Sequence, residues 1–199
     1  MTTDNAIQKT ETGIARSAFA KEMAKRDMLG GTFFGCDVSG SMNAETETPG
    51  ERRIDALRGI VYGLRTQHHN FRIIIFETSV YEADVIPEPA GGTNMAAMFD
   101  YAREQGAKHL VVVSDGSPDS PQHALAAAQR LVDSGCTHID VFYVGPKGGY
   151  AGAAMEFMER LAKLTGANIN SVSFGELESK VKLALSANAE SLTGPSIAL

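Results

Sequence analysis

The sequence predicts an α/β fold: a doubly wound, mainly parallel six-stranded sheet with one short antiparallel edge strand and helices on both faces. Three observations lead there. Short β-branched and aromatic runs alternate with helical stretches of roughly 10–16 residues, the pattern of βαβ units. The runs 110–113 (LVVV) and 141–144 (VFYV) are apolar throughout, as strands are when helices cover both sides of a sheet. One run, Val80–Ile86, follows its predecessor too closely for a crossover, which makes it the antiparallel strand of a hairpin.

Taken in order, residues 1–29 comprise a polar, flexible segment and an amphipathic helix over 14–29. Ile14, Ala15, Ala18, Phe19 and Met23 share one face of that helix. Gly30–Gly31 ends it and opens the domain proper, which spans 30–186. Strand Thr32–Val38 leads into a helix over Arg52–Gln67, with Ile54, Leu57, Ile60, Val61 and Leu64 on one side. Strand Phe71–Phe76 and its hairpin partner Val80–Ile86 come next. Helix Asn94–Gln105, strand His109–Ser114, helix Pro121–Ser134 and strand Ile139–Val144 continue the alternation. A helix over Ala153–Leu164, a weaker strand over Ile169–Phe174 and a helix over Glu176–Ser186 complete it. The tail 187–199, small and polar with Pro195, reads as a mobile or attachment arm.

Composition narrows the function. The 199 residues suit one domain, and 43% hydrophobic with 21% charged residues is a globular balance. A net charge of −6 without any basic run argues against a nucleic-acid binder, whose affinity rests on clustered Lys and Arg. Cys36 and Cys136 lie in or beside apolar strands, outside any CxxC or Cys/His cluster, and read as buried thiols. The N-terminus lacks the apolar core of a secretory signal, and no stretch approaches the roughly 20 apolar residues of a membrane span. The expectation is a soluble, cytoplasmic protein with no membrane partner.

Doubly wound sheets bind ligands beyond the carboxyl ends of their strands. Three loops there share one chemistry: Asp37-Val38-Ser39-Gly40-Ser41, Gly91-Gly92-Thr93 and Ser114-Asp115-Gly116. Each sets short oxygen side chains beside glycine. Hard cations such as Mg²⁺ take about six oxygens at roughly 2.1 Å, and short side chains on tight turns converge with little loss of rotamer entropy. Two carboxylates with three hydroxyls leave such an ion under-neutralised, so it welcomes an outside carboxylate.

These three motifs, in this order and at these strand ends, resemble the metal-ion-dependent adhesion site (MIDAS) of von Willebrand factor A (vWA) domains, over residues 31–186. The resemblance implies a Rossmann-like sheet of order 3-2-1-4-5-6 with strand three antiparallel. It also implies one Mg²⁺ or Mn²⁺ held by Asp37, Ser39, Ser41, Thr93 and Asp115. Ser39 and Ser41 would bind the ion directly, Thr93 directly or through water. Asp37 and Asp115 would act through waters or by accepting hydrogen bonds from the ligating hydroxyls. A partner protein's Glu or Asp would complete the shell. Lone domains resembling this family serve as adaptors for AAA+ ATPases of the MoxR kind, the favoured partner class.

One departure is the long connection Met42–Gly50. Its Glu45 and Glu47 admit three readings: a sixth ligand in cis, a charged rim, or a solvated loop, which is preferred. Asp119 and Ser120 read as the cap of the following helix, leaving Asp115 for the metal, and Ser117 and Asp119 otherwise as surface. His68 and His69 read as the charged end of a helix, His109, His123 and His138 as structural or exposed. Met95, Met98, Met155 and Met158 fall at core spacing. Gly145-Pro146-Lys147-Gly148-Gly149 lacks the spacing of a phosphate-binding loop. Two readings compete with a non-catalytic binding module. A Mg²⁺-dependent phosphohydrolase would use Asp37 as nucleophile, but Ser39 stands where its acid/base aspartate belongs. A structural subunit would instead bind through its termini.

Overall fold

The computed structural model describes residues 31–67, 71–146 and 151–191. The expected helix over 14–29, the His68–His69 pair and Lys147–Gly149 lie outside these. The elements are β1 (Thr32–Asp37), α1 (Arg53–Gln67), β2 (Arg72–Phe76), β3 (Val80–Glu82), α2 (Met95–Glu104) and β4 (His109–Ser114). They continue with α3 (Pro121–Asp133), β5 (His138–Tyr143), α4 (Ala151–Thr165), β6 (Asn168–Ser171) and α5 (Phe174–Ser191). The six strands lie in the order β3-β2-β1-β4-β5-β6, all parallel except β3, which runs antiparallel to β2. This is the expected fold class, in the order that the vWA resemblance implies.

The alternation of side chains along each strand builds two cores. Phe33, Ile74, Phe76, Leu110, Val112 and Val141 face one side and pack with Met98 and Phe99 of α2, Leu125 and Leu131 of α3, and Phe157 and Leu161 of α4. Phe34, Cys36, Ile75, Val111, Val113 and Phe142 face the other, against Leu57, Val61 and Leu64 of α1 and Leu177 and Val181 of α5. Met95, Met98 and Met158 are fully buried, and Met155 packs at the margin. Near the amino ends of the strands, His109 pairs with Asp140 at 2.8 Å, and Asn168 donates to the other Asp140 oxygen at 2.9 Å, joining β4, β5 and β6.

The three largest differences from the expected boundaries are the ends of β3, β6 and α5. β3 stops at Glu82 because the chain then turns onto α1: Ile86 is buried, its N–H bonded to the Tyr62 hydroxyl at 2.9 Å and its carbonyl to Arg58 at 3.0 Å. β6 stops at Ser171 because Ser173 opens α5 as half of a capping box, with the Glu176 carboxylate accepting from its hydroxyl at 2.8 Å and its N–H at 3.2 Å. α5 itself runs to Ser191, so the first residues of the expected tail are helical.

Both sheet edges are short. β3 has three residues and is tied to β2 by the Arg72–Glu82 ion pair, while β6 is the four-residue Asn-Ile-Asn-Ser. Among the described residues no helix is long and apolar enough to cross a membrane.

Leu110, fully buried at the centre of the sheet, measures the larger core. Leu110→Ala should lower stability in urea by about 2–5 kcal/mol, with the slope of the transition unchanged.

Candidate functional site

β1 and β4 pair in parallel, Cys36 opposite Val113, so their carboxyl ends place Asp37 beside Ser114 and Asp115. The Ser114 hydroxyl donates to Asp37 Oδ2 at 2.5 Å, and the Ser39 N–H closes a tight turn onto Asp37 Oδ1 at 2.8 Å. Both Asp37 oxygens are thus engaged, and the residue has no exposed surface. Burial pushes its carboxyl up from the usual value to about 6. The Asp115 charge adds to the push, and the bonds from Ser114 and Ser39 oppose it.

A chain of hydroxyls runs from the first loop to the third. Ser39 Oγ lies 3.0 Å from Ser41 Oγ, and Ser41 Oγ donates to Asp115 Oδ1 at 2.7 Å. A hydroxyl carries one proton, so with Ser41 spending its own on Asp115, Ser39 is the donor to Ser41. Ser39 keeps both lone pairs and Ser41 keeps one.

The second loop is held by backbone. Ala90 donates to the Val38 carbonyl at 2.8 Å and Gly40 to the Gly91 carbonyl at 3.2 Å. Gly91 sits at φ +64°, where a side chain is strained, and a Cβ on Gly92 would stand 2.6 Å from Asp119 Oδ2. Thr93 and Asp119 exchange two bonds: the Thr93 N–H reaches Asp119 Oδ1, and the Asp119 N–H reaches the Thr93 carbonyl, both at 3.0 Å. Thr93 is buried, and among the described residues no hydrogen bond engages its hydroxyl. Asp37, Ser39, Ser41 and Asp115 are therefore joined through side chains, and Thr93 is brought to them by its loop.

Three residues carry more than sequence reasoning assigned. Arg53, the first residue of α1, places its guanidinium 2.5 Å from Asp115 Oδ2; the Asp115 side chain is fully buried and that of Arg53 is 15% exposed. A signal existed, since Arg52 and Arg53 open a helix, where the macrodipole disfavours cations unless acids answer them. Arg52 is answered by Asp55 and Glu88, and Arg53 by Asp115. Asp119 is no cap but the clasp on Thr93, and Ser120, at the cap position, makes no side-chain capping bond. Ser114 holds Asp37. Glu47 accepts from the Phe174 N–H at 3.4 Å, at the start of α5, and has no bond to the five residues; Glu45 pairs by backbone with Arg52.

The chain is similar in fold to the PilB minor pilin from Streptococcus sanguinis, at TM-score 0.65 and 15% identity, and to its D319A mutant, at 0.61 and 13%. Each alignment covers 82% of this chain and 63% of the pilin, so the chain spans less than two thirds of those proteins. The SpRpn10 VWA domain aligns over 71% of this chain and 86% of its own, at TM-score 0.49 and 11% identity. No family model and no curated protein matches. At such identities the pilin likeness is one of fold.

Chemically, the donor set fits a hard divalent cation. Neutral hydroxyl oxygens with free lone pairs stand between two carboxylates, without the nitrogen and sulfur donors that softer metals prefer. Among the described residues no three His, Cys, Asp or Glu side chains gather as a metal site, and this cluster offers two carboxylates with hydroxyls in place of a third.

Two measurements test this geometry without added metal. The folded chain holds the Asp37 proton more tightly than the unfolded chain, so stability is lost as pH rises from about 4 through about 6. Asp37→Asn should therefore stabilise the metal-free protein at pH 8 by on the order of 2 kcal/mol, read as a rise in Tm, and the gain should vanish below pH about 4. Asp119→Ala should speed amide exchange at Thr93 several-fold with little change in overall Tm, as expected for the loss of one part-buried bond worth about 1 kcal/mol.

Proposed function

We propose that this chain is a vWA-type protein-binding module that holds one Mg²⁺ (or Mn²⁺) and docks a partner's carboxylate on it. The observation that carries the reading is the convergence of Asp37, Ser39, Ser41 and Asp115 in one hydrogen-bonded cluster at the switch point of the sheet, with the loop of Thr93 stitched beside them. Ser39, Ser41 and Thr93 offer the hydroxyl oxygens, while Asp37 and Asp115 orient the cluster and supply its negative charge. A bound cation would provide a positive acceptor for a Glu or Asp that the chain itself does not neutralise. The fold supports an interaction module because the loops at this end, and not a closed cleft, present the cluster. The partner class we favour is an AAA+ ATPase of the MoxR kind, with the chain as a cytoplasmic adaptor.

Hydrolysis is the weaker reading. A nucleophilic aspartate must reach its substrate, whereas Asp37 has no exposed surface, and Ser39 occupies the acid/base position. We therefore assign the chain no catalytic role.

Calorimetric titration of Mg²⁺ and Mn²⁺ into the metal-free protein should give one site. Ser41→Ala and Asp115→Ala should weaken it at least tenfold. No heat and no metal-dependent rise in Tm for the unmodified protein would remove the cation from this reading.

A further inference from the structure

Arg53 is the one cation in direct contact with the cluster among the described residues, and its setting is unusual. It opens α1, where the helix dipole opposes a positive charge, yet it forms a close pair with a carboxylate that has no exposed surface. Its backbone closes the connection after Ser41: the Arg53 N–H donates to the Ala44 carbonyl at 2.9 Å, and Thr46 to the Glu51 carbonyl at 2.8 Å, so residues 44–53 form a hairpin. On its open side Arg53 lines a cleft of about 340 Å³, together with Glu45, Glu47, Val144 and Phe174. The guanidinium thus stands against Asp115 at the edge of a cleft that Glu45 and Glu47 also line.

Resting on the cation reading above, we propose that Arg53 is an internal counter-ion that competes with the divalent ion for Asp115, and that it swings to Glu45 and Glu47 in the adjoining cleft when the ion binds. A guanidinium on one Asp115 oxygen lowers the negative potential at the hydroxyls beside the other, so a divalent ion must overcome its repulsion or displace it. Two acidic side chains in the same cleft give the displaced charge a place to go. The long connection after Ser41 then has a role: it carries both the competitor and its alternative acceptors.

The test is Mn²⁺ titration by calorimetry, with Tm measured in parallel, on the full chain. Arg53→Gln should lower the metal-free Tm, because Asp115 loses its partner. It should also bind Mn²⁺ at least tenfold more tightly and gain more Tm from it than the unmodified protein. Arg53→Lys, which keeps the charge, should stay within about threefold of the unmodified protein. Glu45→Gln with Glu47→Gln should weaken Mn²⁺ binding in the unmodified background and have a smaller effect beside Arg53→Gln. If the unmodified protein binds Mn²⁺ and Arg53→Gln binds it no better, Arg53 is a structural staple and the proposal fails alone. If neither binds Mn²⁺, the cation reading fails and takes the proposal with it.

Discussion

The parallel pairing of β1 with β4 is the constraint on which the rest of the molecule turns. These strands are central, buried on both sides, and the connections that leave them diverge: β1 leads towards β2 and β4 towards β5. Divergence opens a gap above their carboxyl ends, and the second loop reaches across it by bonds to Val38 and Gly40 on one side and Asp119 on the other. The pairing register fixes which residues face that gap. Cys36 opposite Val113 sets Asp37 against Ser114 and leaves Asp115 within reach of Ser41. A slip of one residue would turn Phe34 and Cys36 out of one core and Phe33 out of the other, so the hydrophobic pattern that secures the fold also secures the cluster.

That placement has an electrostatic cost. Two carboxylates come within mutual influence at a buried position, and desolvation acts on both. The chain answers each differently. Asp37 is surrounded by hydrogen-bond donors and remains reluctant to ionise, while Asp115 receives a guanidinium. The hairpin of residues 44–53 exists in the structure as the arm that delivers that guanidinium, and the Arg52–Asp55–Arg58–Glu88 network on its outer side fastens the base of the arm to the chain ahead of the second loop.

Much of this was readable from residue order. The short β-branched and aromatic runs marked the strands, and the doubly apolar stretches at 110–113 and 141–144 implied helices on both faces, as found in the two cores. Motif positions at strand ends led to Asp37, Ser39, Ser41 and Asp115 in mutual contact. What residue order concealed were interactions that depend on orientation. Nothing local says that Asp119 turns back to Thr93 instead of capping α3, since both choices satisfy the same carboxylate. Phe174 follows Ile169 and Val172 as the last apolar residue of the expected strand, and only the capping pair Ser173–Glu176 shows that it begins a helix. Arg53 was hidden because its partner lies 62 residues away, although a paired arginine at a helix start carried a hint.

The edges of the sheet bear on how this molecule can meet an extended polypeptide. Strand addition requires a row of free backbone donors and acceptors long enough to hold a ladder. Three residues at β3, twisted away after Glu82, and four at β6, ended by the turn into α5, provide one or two such pairs each. A peptide laid along either side would gain too few main-chain bonds to offset its own ordering. Recognition by this fold is thereby steered away from sequence-tolerant backbone zippering and towards contacts that read individual side chains.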